Sequence, residues 1–212
     1  MDWNIYMLAG LVVLAYLLGS VPSAVWAGKW LYGIDLREHG SGNAGATNAF
    51  RVLGKKTALW VLFADILKGM AAIGLSLFVV DMFHAAEWYK VYQYGLGLAA
   101  LAGHVFPVFA GFRGGKGIAT LTGIVIMLFP GSVLVCLVAF FVVFITTRYV
   151  SLGSITASIV FPVVVIFFSD NPLLAEIIFS VVVAIFVPLT HKTNIKRLIQ
   201  GNENKISFKS QR

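Results

Sequence analysis

The stretch GIATLTGIVIMLFPGSVLVCLVAFFVVFITT, residues 117–147, decides the fold of this chain. It carries no charged residue, and a helix of about 20 apolar residues is long enough to cross a bilayer. The dipeptide Pro130-Gly131 divides the stretch, which favours two short spans joined by a tight helical turn. The alternative is one long kinked helix, which would invert the orientation of every later segment.

The whole chain has the composition of a membrane protein. Of its 212 residues, 59% are hydrophobic and only 12% are charged, whereas a soluble domain is about one quarter charged. No basic residue precedes the first apolar run, so we interpret that run as a span and not as a signal peptide. We predict an all-α integral membrane protein, with one domain over residues 1–212 and a polar, disordered tail over 201–212. The seven predicted spans cover residues 4–27, 57–80, 91–110, 117–130, 132–147, 152–169 and 173–190.

Basic residues determine the predicted orientation. With the N-terminus extracytoplasmic and the C-terminus cytoplasmic, 14 of the 16 Lys and Arg residues fall in cytoplasmic segments, as the positive-inside rule requires. Those segments are 28–56, 111–116, 148–151 and 191–212. The same rule explains the net charge of +7, and no basic face is interleaved with exposed aromatic residues, so nucleic acid is excluded as a partner.

Three polar stretches interrupt the apolar sequence, and this orientation places all of them at the cytoplasmic face. The first combines short hydrogen-bond donors with glycines that permit close backbone approach, and it ends at Arg51, whose guanidinium suits a phosphate. The phosphate contacts predicted from it are Ser41, Gly42, Asn43, Gly45, Thr47, Asn48 and Arg51. The alternative is a solvated loop in which Thr47 or Asn48 caps a helix.

The second polar stretch, residues 111–117, resembles a nucleotide-binding loop but lacks its hydroxyl residue, since Gly117 follows Lys116. We therefore predict a phosphate cradle without nucleotide. Gly114 and Gly115 precede a helix that begins near Gly117, so free N–H groups and the helix dipole would meet an anion beside the Lys116 charge. The alternative is a turn at the membrane boundary whose basic residues only set the topology.

The third polar stretch places His191, Asn194 and Arg197 three residues apart. On a helix these residues would share one face, and a histidine, an amide and a guanidinium together suit an anion. The alternative is a basic collar at the membrane boundary.

Three ionisable residues lie inside predicted spans. Asp65 and Lys68 stand within one helical turn of each other, and such an intramembrane pair is either functional or purely structural. His104 lies near the end of the third predicted span, where we expect it to make a buried polar contact between helices.

The polar stretches and their flanks resemble the three signatures of one family. These are GSGNAGATNAFR at residues 40–51, HVFPVFAGFRGGKGIAT at 104–120 and PLTHKTNIKRLIQGNE at 188–203. On these motifs the chain is similar to the bacterial acyl-phosphate:glycerol-3-phosphate acyltransferases, the PlsY family. The resemblance runs in order through nearly the whole chain, and its one visible departure is a longer polar tail after Glu203.

The resemblance implies transfer of an acyl group from acyl phosphate to the 1-hydroxyl of sn-glycerol 3-phosphate, giving lysophosphatidate and phosphate in phospholipid biosynthesis. It implies that Ser41, Arg51, Lys116, His191 and Asn194 are catalytic. It also implies substrate contacts by Lys68, Gly114, Gly115, Gly117, Thr120 and Arg197.

Acyl phosphate has a good leaving group, so we expect direct transfer without an acyl-enzyme, driven by positioning and charge neutralisation. Whether His191 or the donor phosphate takes the proton stays open. The resemblance further implies a multi-pass protein of the bacterial inner membrane, with its active site towards the cytoplasm and with no cofactor or metal. The expected partners are the two substrates, membrane lipid and the cytoplasmic enzyme that makes acyl phosphate. The alternative function is a small membrane transporter of an organophosphate.

Overall fold

The structure is a computed structural model that describes residues 3–206, and within them it contains helices and no strand, which confirms the all-α prediction. The ten α-helices are α1 (Trp3–Gly19), α2 (Ser23–Tyr32), α3 (Ala46–Val52), α4 (Lys55–Gly74), α5 (Ala86–Val105), α6 (Ile118–Leu128), α7 (Pro130–Thr147), α8 (Val150–Phe168), α9 (Leu174–Thr190) and α10 (Lys192–Ile199). Three 3₁₀ segments cover Leu36–Glu38, Leu75–Met82 and Val108–Ala110. The described residues form two compact units, one up to Leu128 and one from Phe129. A single domain over the whole chain stays a prediction.

Helix length and composition give four to six candidate membrane spans in the described part of the chain. Four stretches are long enough by themselves: Lys55–Met82, Ala86–Ala110, Pro130–Thr147 and Val150–Phe168. Two more arise if α1 with α2, bent by 43°, and α9 with α10, bent by 63°, each count as one span. Helix α6 has only 11 residues, about 16 Å of helix, which is shorter than the hydrocarbon core of a bilayer.

In the first unit, long helices approach each other at glycines. A Cβ atom added to Gly19 or Gly103 would overlap a backbone carbonyl across the α1–α5 contact, and the same holds for Gly69 and Gly123 across the α4–α6 contact. Small residues allow helix backbones to come this close in a membrane, where packing takes the place of the hydrophobic effect. These contacts position the loops that carry the first two polar stretches.

The predicted span over residues 4–27 is interrupted between α1 and α2, where Pro22 has no N–H to continue the helix. At the break, the carbonyl of Val21 accepts from Ser23 N at 3.1 Å and from Lys68 Nζ at 2.8 Å. Asp65 Oδ1 accepts from Ser23 Oγ at 2.6 Å and pairs with Lys68 Nζ at 2.9 Å. These bonds give the intramembrane pair a structural role at the break, and substrate contact by Lys68 stays a prediction.

In the second unit, aromatic rings fill the contact of α7, α8 and α9. Phe129 interrupts the helical backbone just before α7, and its ring lies 5.1 Å from that of Phe161 and 5.9 Å from that of Phe179. Pro130 then occupies the first turn of α7, where its missing N–H costs nothing. Both predicted short spans therefore exist as separate helices.

The disorder predicted after Gly201 is wrong for residues 202–206. Asn202 N donates to Arg197 O at 2.8 Å, and Ile206 N donates to Arg148 O at 3.0 Å. Ile206 is buried, and Lys205 Nζ lies 5.3 Å from the centroid of the Tyr149 ring. The segment thus packs on the second unit through contacts that its polar composition does not reveal, and residues 207–212 lie outside the described part.

Candidate active site

One buried amide, Asn48, organises the loop that carries the first polar stretch. Its Oδ1 accepts from Ser41 N at 2.8 Å, and its Nδ2 donates to Leu36 O at 3.1 Å and to His39 O at 3.0 Å. The side chain is only 1% exposed, and Gly40, at φ +60°, leaves the space that it occupies. The observed bonds of Asn48 therefore place Ser41, and direct contact of Asn48 with phosphate stays a prediction.

The first polar stretch continues into α3, which begins immediately after Gly45. No side chain caps this helix, so the alternative in which Thr47 or Asn48 caps it is wrong. Arg51 lies in the last turn of α3 and is half-buried, as are Thr47 and Asn43. The backbone of Arg51 therefore lies in a helix, which holds the start of this side chain more firmly than a loop would.

Two residues outside the predicted set, Asp35 and Arg37, join this loop to the second polar stretch. Arg37 donates from Nε and Nη2 to the two carboxylate oxygens of Asp35, at 2.9 and 2.7 Å. Its Nη1 donates to Ala110 O at 2.7 Å and to Arg113 O at 3.2 Å. The bonds from Arg37 hold the pKa of Asp35 well below its usual range and raise the pKa of Arg37. The sequence signal was an Asp two residues before an Arg in a polar loop, a spacing typical of local capping.

In the second polar stretch, the N–H groups of Gly114 and Gly115 are not free. Gly114 N donates to Val105 O at 3.1 Å, and Gly115 N donates to His104 O at 3.2 Å. A Cβ atom on Gly114 would overlap the His104 carbonyl, and one on Gly115 would overlap the His104 ring. The prediction of free N–H groups at these two glycines is therefore wrong, and close packing explains why glycine stands there.

The free N–H groups lie a few residues later, at the start of α6. The first intrahelical bond runs from Leu121 N to Gly117 O at 2.7 Å, so the N–H groups of residues 118–120 precede it. Gly117 has φ +81°, a left-handed conformation that favours glycine. The half-buried Lys116 adjoins this helix start. An anion bound here would therefore meet the positive end of α6 and the ammonium group of Lys116.

The remaining predicted residues of the first unit are deeply buried. Thr120 is fully buried, and its hydroxyl lies 2.9 Å from His104 Nδ1. That nitrogen is 3.8 Å from Asp65 Oδ1, and Lys68 is 8% exposed. The predicted polar contact of His104 between helices is confirmed by its bond to Thr120 across the α5–α6 contact.

In the second unit, His191 marks the 63° bend between α9 and α10. His191 therefore does not continue the helix that carries Asn194 and Arg197, although these two still share α10. Its side chain is 3% exposed, and Nδ1 lies 2.8 Å from Val187 O. Because a carbonyl oxygen can only accept, Nδ1 carries a proton that it donates to Val187 O.

Asn194 is oriented by a buried carboxylate that the predicted site did not include. Its Nδ2 donates to Glu203 Oε1 at 2.7 Å, and Ser151 Oγ donates to the same oxygen at 2.8 Å. Glu203 is 9% exposed, and within the described residues its Oε2 has no hydrogen-bond partner. In the sequence, the feature that could have indicated this role of Glu203 was its position at the end of the third signature. Arg197 is half-buried on the same helix as Asn194.

The described residues contain no group of three or more His, Cys, Asp and Glu side chains arranged to hold a metal ion. The polar residues instead provide cations, hydroxyls, amides and one helix start. This is chemistry for binding oxyanions and for moving a proton at a histidine nitrogen.

Comparison with known proteins gives one consistent result. A family model described as glycerol-3-phosphate acyltransferase matches residues 9–201. A protein of that name from Fusobacterium nucleatum subsp. nucleatum is 42% identical over 199 residues, covering 93% of this chain and 97% of the relative. Another from Chlorobium chlorochromatii is 41% identical over 229 residues, covering 95% and 97%.

Two crystal structures of PlsY, an integral membrane glycerol 3-phosphate acyltransferase, resemble the fold along 94% of this chain at 37% identity. The glycerol 3-phosphate form has a TM-score of 0.81 and is covered to 96%, and the lysophosphatidic acid form has a TM-score of 0.79 and is covered to 95%. Sequence motifs, helical membrane fold and relatives agree: the chain belongs to the glycerol-3-phosphate acyltransferase family.

Proposed function

We propose that this protein transfers an acyl group from acyl phosphate to the 1-hydroxyl of sn-glycerol 3-phosphate, giving 1-acyl-sn-glycerol 3-phosphate and phosphate in bacterial phospholipid biosynthesis. The observation that carries the proposal is the 37% identity, along 94% of the chain, to an acyltransferase solved in forms named for glycerol 3-phosphate and for lysophosphatidic acid. The acceptor follows from the names of the relatives. The acyl phosphate donor rests on the three signatures of the sequence.

Both substrates are anionic, and the cationic residues of the first unit would neutralise them. Arg51 extends from α3 and suits a bidentate phosphate contact, whereas Lys116 provides a point charge beside the start of α6. Ser41 is held by Asn48 through its backbone N–H, so its hydroxyl can donate from a fixed position. The remaining predicted contacts, Gly42, Asn43, Gly45, Thr47 and Gly117, would line the same loops.

His191 is one proposed proton acceptor of the reaction. The 1-hydroxyl oxygen attacks the acyl carbonyl carbon, the bond from that carbon to the phosphate oxygen breaks, and the hydroxyl proton leaves. Nδ1 of His191 carries the proton that it donates to Val187 O, so Nε2 would be the acceptor on this ring, and the departing phosphate is the alternative acceptor. Asn194, oriented by Glu203, would hold a substrate oxygen with the help of Arg197. No covalent acyl-enzyme is needed because acyl phosphate is already activated.

For the topology we propose seven spans, with the N-terminus outside and the active site towards the cytoplasm of a bacterial inner membrane. The charge distribution supports this orientation. Helix α6 is the critical element because the seven-span count requires its 11 residues to cross the membrane. Without that crossing the number of spans is even, and the C-terminus would lie on the same side as the N-terminus. Cysteines placed at Ala85 and Gln200 of a Cys136→Ala protein test this. We expect an impermeant thiol reagent added outside spheroplasts to label the first position only, and labelling of both would contradict the seven-span count.

The function is tested by feeding the purified full-length protein with acyl phosphate and labelled glycerol 3-phosphate. We expect labelled lysophosphatidate, and no product when acyl-CoA or acyl-carrier protein replaces acyl phosphate. Lys116→Ala serves as the inactive control. The proposed partner is tested separately, by adding the enzyme that makes acyl phosphate in a stoichiometric amount and measuring its effect on the rate. A covalent acyl group on the denatured protein would contradict direct transfer. Counterflow of labelled glycerol 3-phosphate across vesicles without any acyl product would instead indicate a transporter.

A further inference from the structure

Lys116 lies between two residues that bind the same histidine. The preceding residue, Gly115, donates its N–H to His104 O at 3.2 Å. Four residues after Lys116, the hydroxyl of Thr120 lies 2.9 Å from His104 Nδ1. The Nε2 edge of the ring fills the space in which a Gly115 side chain would stand. His104 therefore holds the backbone on both sides of Lys116, through its carbonyl on one side and through its ring on the other.

The His104 ring lies beside the buried groups at the break between α1 and α2. Asp65 Oδ1 lies 3.8 Å from His104 Nδ1 and also takes the hydrogen bond from Ser23 Oγ and the ion pair with Lys68. Exposure is 1% for Asp65, 8% for Lys68 and 6% for His104. Ser23, Asp65 and Lys68 are joined by hydrogen bonds, and such a buried network is rigid because any displacement leaves a polar group without a partner. The His104 ring lies beside this network, and His104 binds the residues on both sides of Lys116, Gly115 and Thr120.

We propose that His104 is a positioning residue for Lys116 and that the bond between His104 and Thr120 fixes where the Lys116 ammonium meets a substrate phosphate. His104 acts through Gly115 and Thr120 and does not itself need to touch the reacting atoms. A lysine whose backbone is held in place samples fewer positions with its ammonium group, so less conformational entropy is lost when it binds the anion. The inference rests on the proposed phosphate contact of Lys116.

The test uses Thr120→Val, which keeps the shape of the side chain and removes the hydroxyl. We expect the Kd of the purified full-length protein for glycerol 3-phosphate, measured by calorimetry, to rise about tenfold, with a parallel fall in kcat/KM. Thr120→Ser restores the hydroxyl and should recover most of the affinity. The matched control is Thr122→Val on the same helix, because the Thr122 hydroxyl donates only to Ile118 O, at 2.9 Å. This control should bind like the wild type.

A double-variant cycle separates positioning from general destabilisation. If His104 and Thr120 act through Lys116, the double variant Thr120→Val with Lys116→Ala binds glycerol 3-phosphate no more weakly than Lys116→Ala alone. Additive losses would overturn the inference, and so would equal losses in Thr120→Val and Thr122→Val. If Thr120→Val does not fold, His104→Asn takes its place in the same cycle. A wild-type protein that does not bind glycerol 3-phosphate would contradict the proposed function itself, so the two failures are distinguishable.

Discussion

The two units of the molecule hold their proposed catalytic residues in opposite ways. In the first unit, Gly40 leaves the space for the Asn48 amide, and Gly114 and Gly115 pack against the backbone and ring of His104. In the second unit, one carboxylate, Glu203, receives both Asn194 and Ser151. The first unit depends on glycines, whose lack of a side chain leaves room for close packing, and the second unit depends on hydrogen bonds to one carboxylate. The first unit should therefore be sensitive to added atoms and the second to removed ones.

The largest effect is expected from removing one nitrogen in the second unit. His191→Asn retains an amide N–H that can donate to Val187 O, as Nδ1 does, but it lacks the basic Nε2. If His191 is the general base, kcat should fall by about 10²–10⁴-fold with little change in KM. Steady-state kinetics of the purified variant check this, with the exposed neighbour Lys192→Gln as the control. A near-normal kcat with a raised KM would leave only a phosphate contact for His191.

The converse change adds one methyl group to the first unit. In Gly114→Ala the new Cβ would overlap the carbonyl of His104 and lie 2.8 Å from that of Val105, and backbone atoms cannot move aside as a flexible side chain can. We expect a loss of about 3 kcal/mol of stability, seen as a lower melting temperature in detergent together with lost activity. Gly95→Ala is the matched control, since its Cβ would meet nothing within 4 Å. Equal melting temperatures for the two variants would show that the close packing is not required.

A smaller effect is expected from removing the carboxylate of Glu203. Glu203→Ala leaves Asn194 Nδ2 and Ser151 Oγ without their acceptor, and each buried donor left unpaired costs about 1–3 kcal/mol. We expect at least a tenfold lower kcat, whereas Glu203→Gln keeps an acceptor oxygen and should retain most of the activity. Kinetics of the two variants measured side by side test the comparison. Equal activity in both variants would mean that Asn194 does not need the Glu203 oxygen.

The smallest effect is a pH dependence located in the first unit. Because the pKa of Asp35 is lowered on folding, its bond to Arg37 contributes fully above the ordinary aspartate pKa of about 4 and is lost as the pH falls towards the folded value. The melting temperature should therefore fall between about pH 5 and pH 3. We expect Asp35→Asn to show a smaller fall, whereas the variant of the exposed Asp81, Asp81→Asn, should follow the wild type. Identical curves for Asp35→Asn and the wild type would rule out this contribution.

What the sequence predicted follows from local rules. Apolar runs predicted the helices because a membrane span requires a long run of apolar residues, and Pro130 carried the local signal for the break before α7. The break at Pro22, inside the single span predicted over residues 4–27, was not predicted, although proline lacks the N–H that would continue the helix. The polar stretches predicted an anion site, and its substrate contacts stay a prediction. The first two stretches, in one unit, are joined by Arg37.

What the sequence did not predict depends on contacts between distant residues. Nothing near Gly114 or Gly115 in the sequence indicates that their N–H groups bind the end of α5. The two glycines were therefore predicted to leave free N–H groups, whereas in the structure they leave room for close packing against His104. The short polar segment around Glu203 has the composition of a disordered tail, but its order comes from Arg148, Tyr149 and Ser151, about fifty residues earlier in the chain. A partner so far away leaves no periodicity to detect.

The position of Glu203 after α10 also has a consequence for biogenesis. Asn194 and its acceptor are nine residues apart, and translation makes Asn194 first. The ribosomal exit tunnel encloses a longer stretch of chain than this, so Asn194 and Glu203 leave the ribosome together and the amide can bind its carboxylate as soon as it emerges. A protein whose synthesis ends before residue 203 would still bear the cations of the first unit but would lack this hydrogen bond. We expect such a truncated protein to show the lowered kcat of Glu203→Ala.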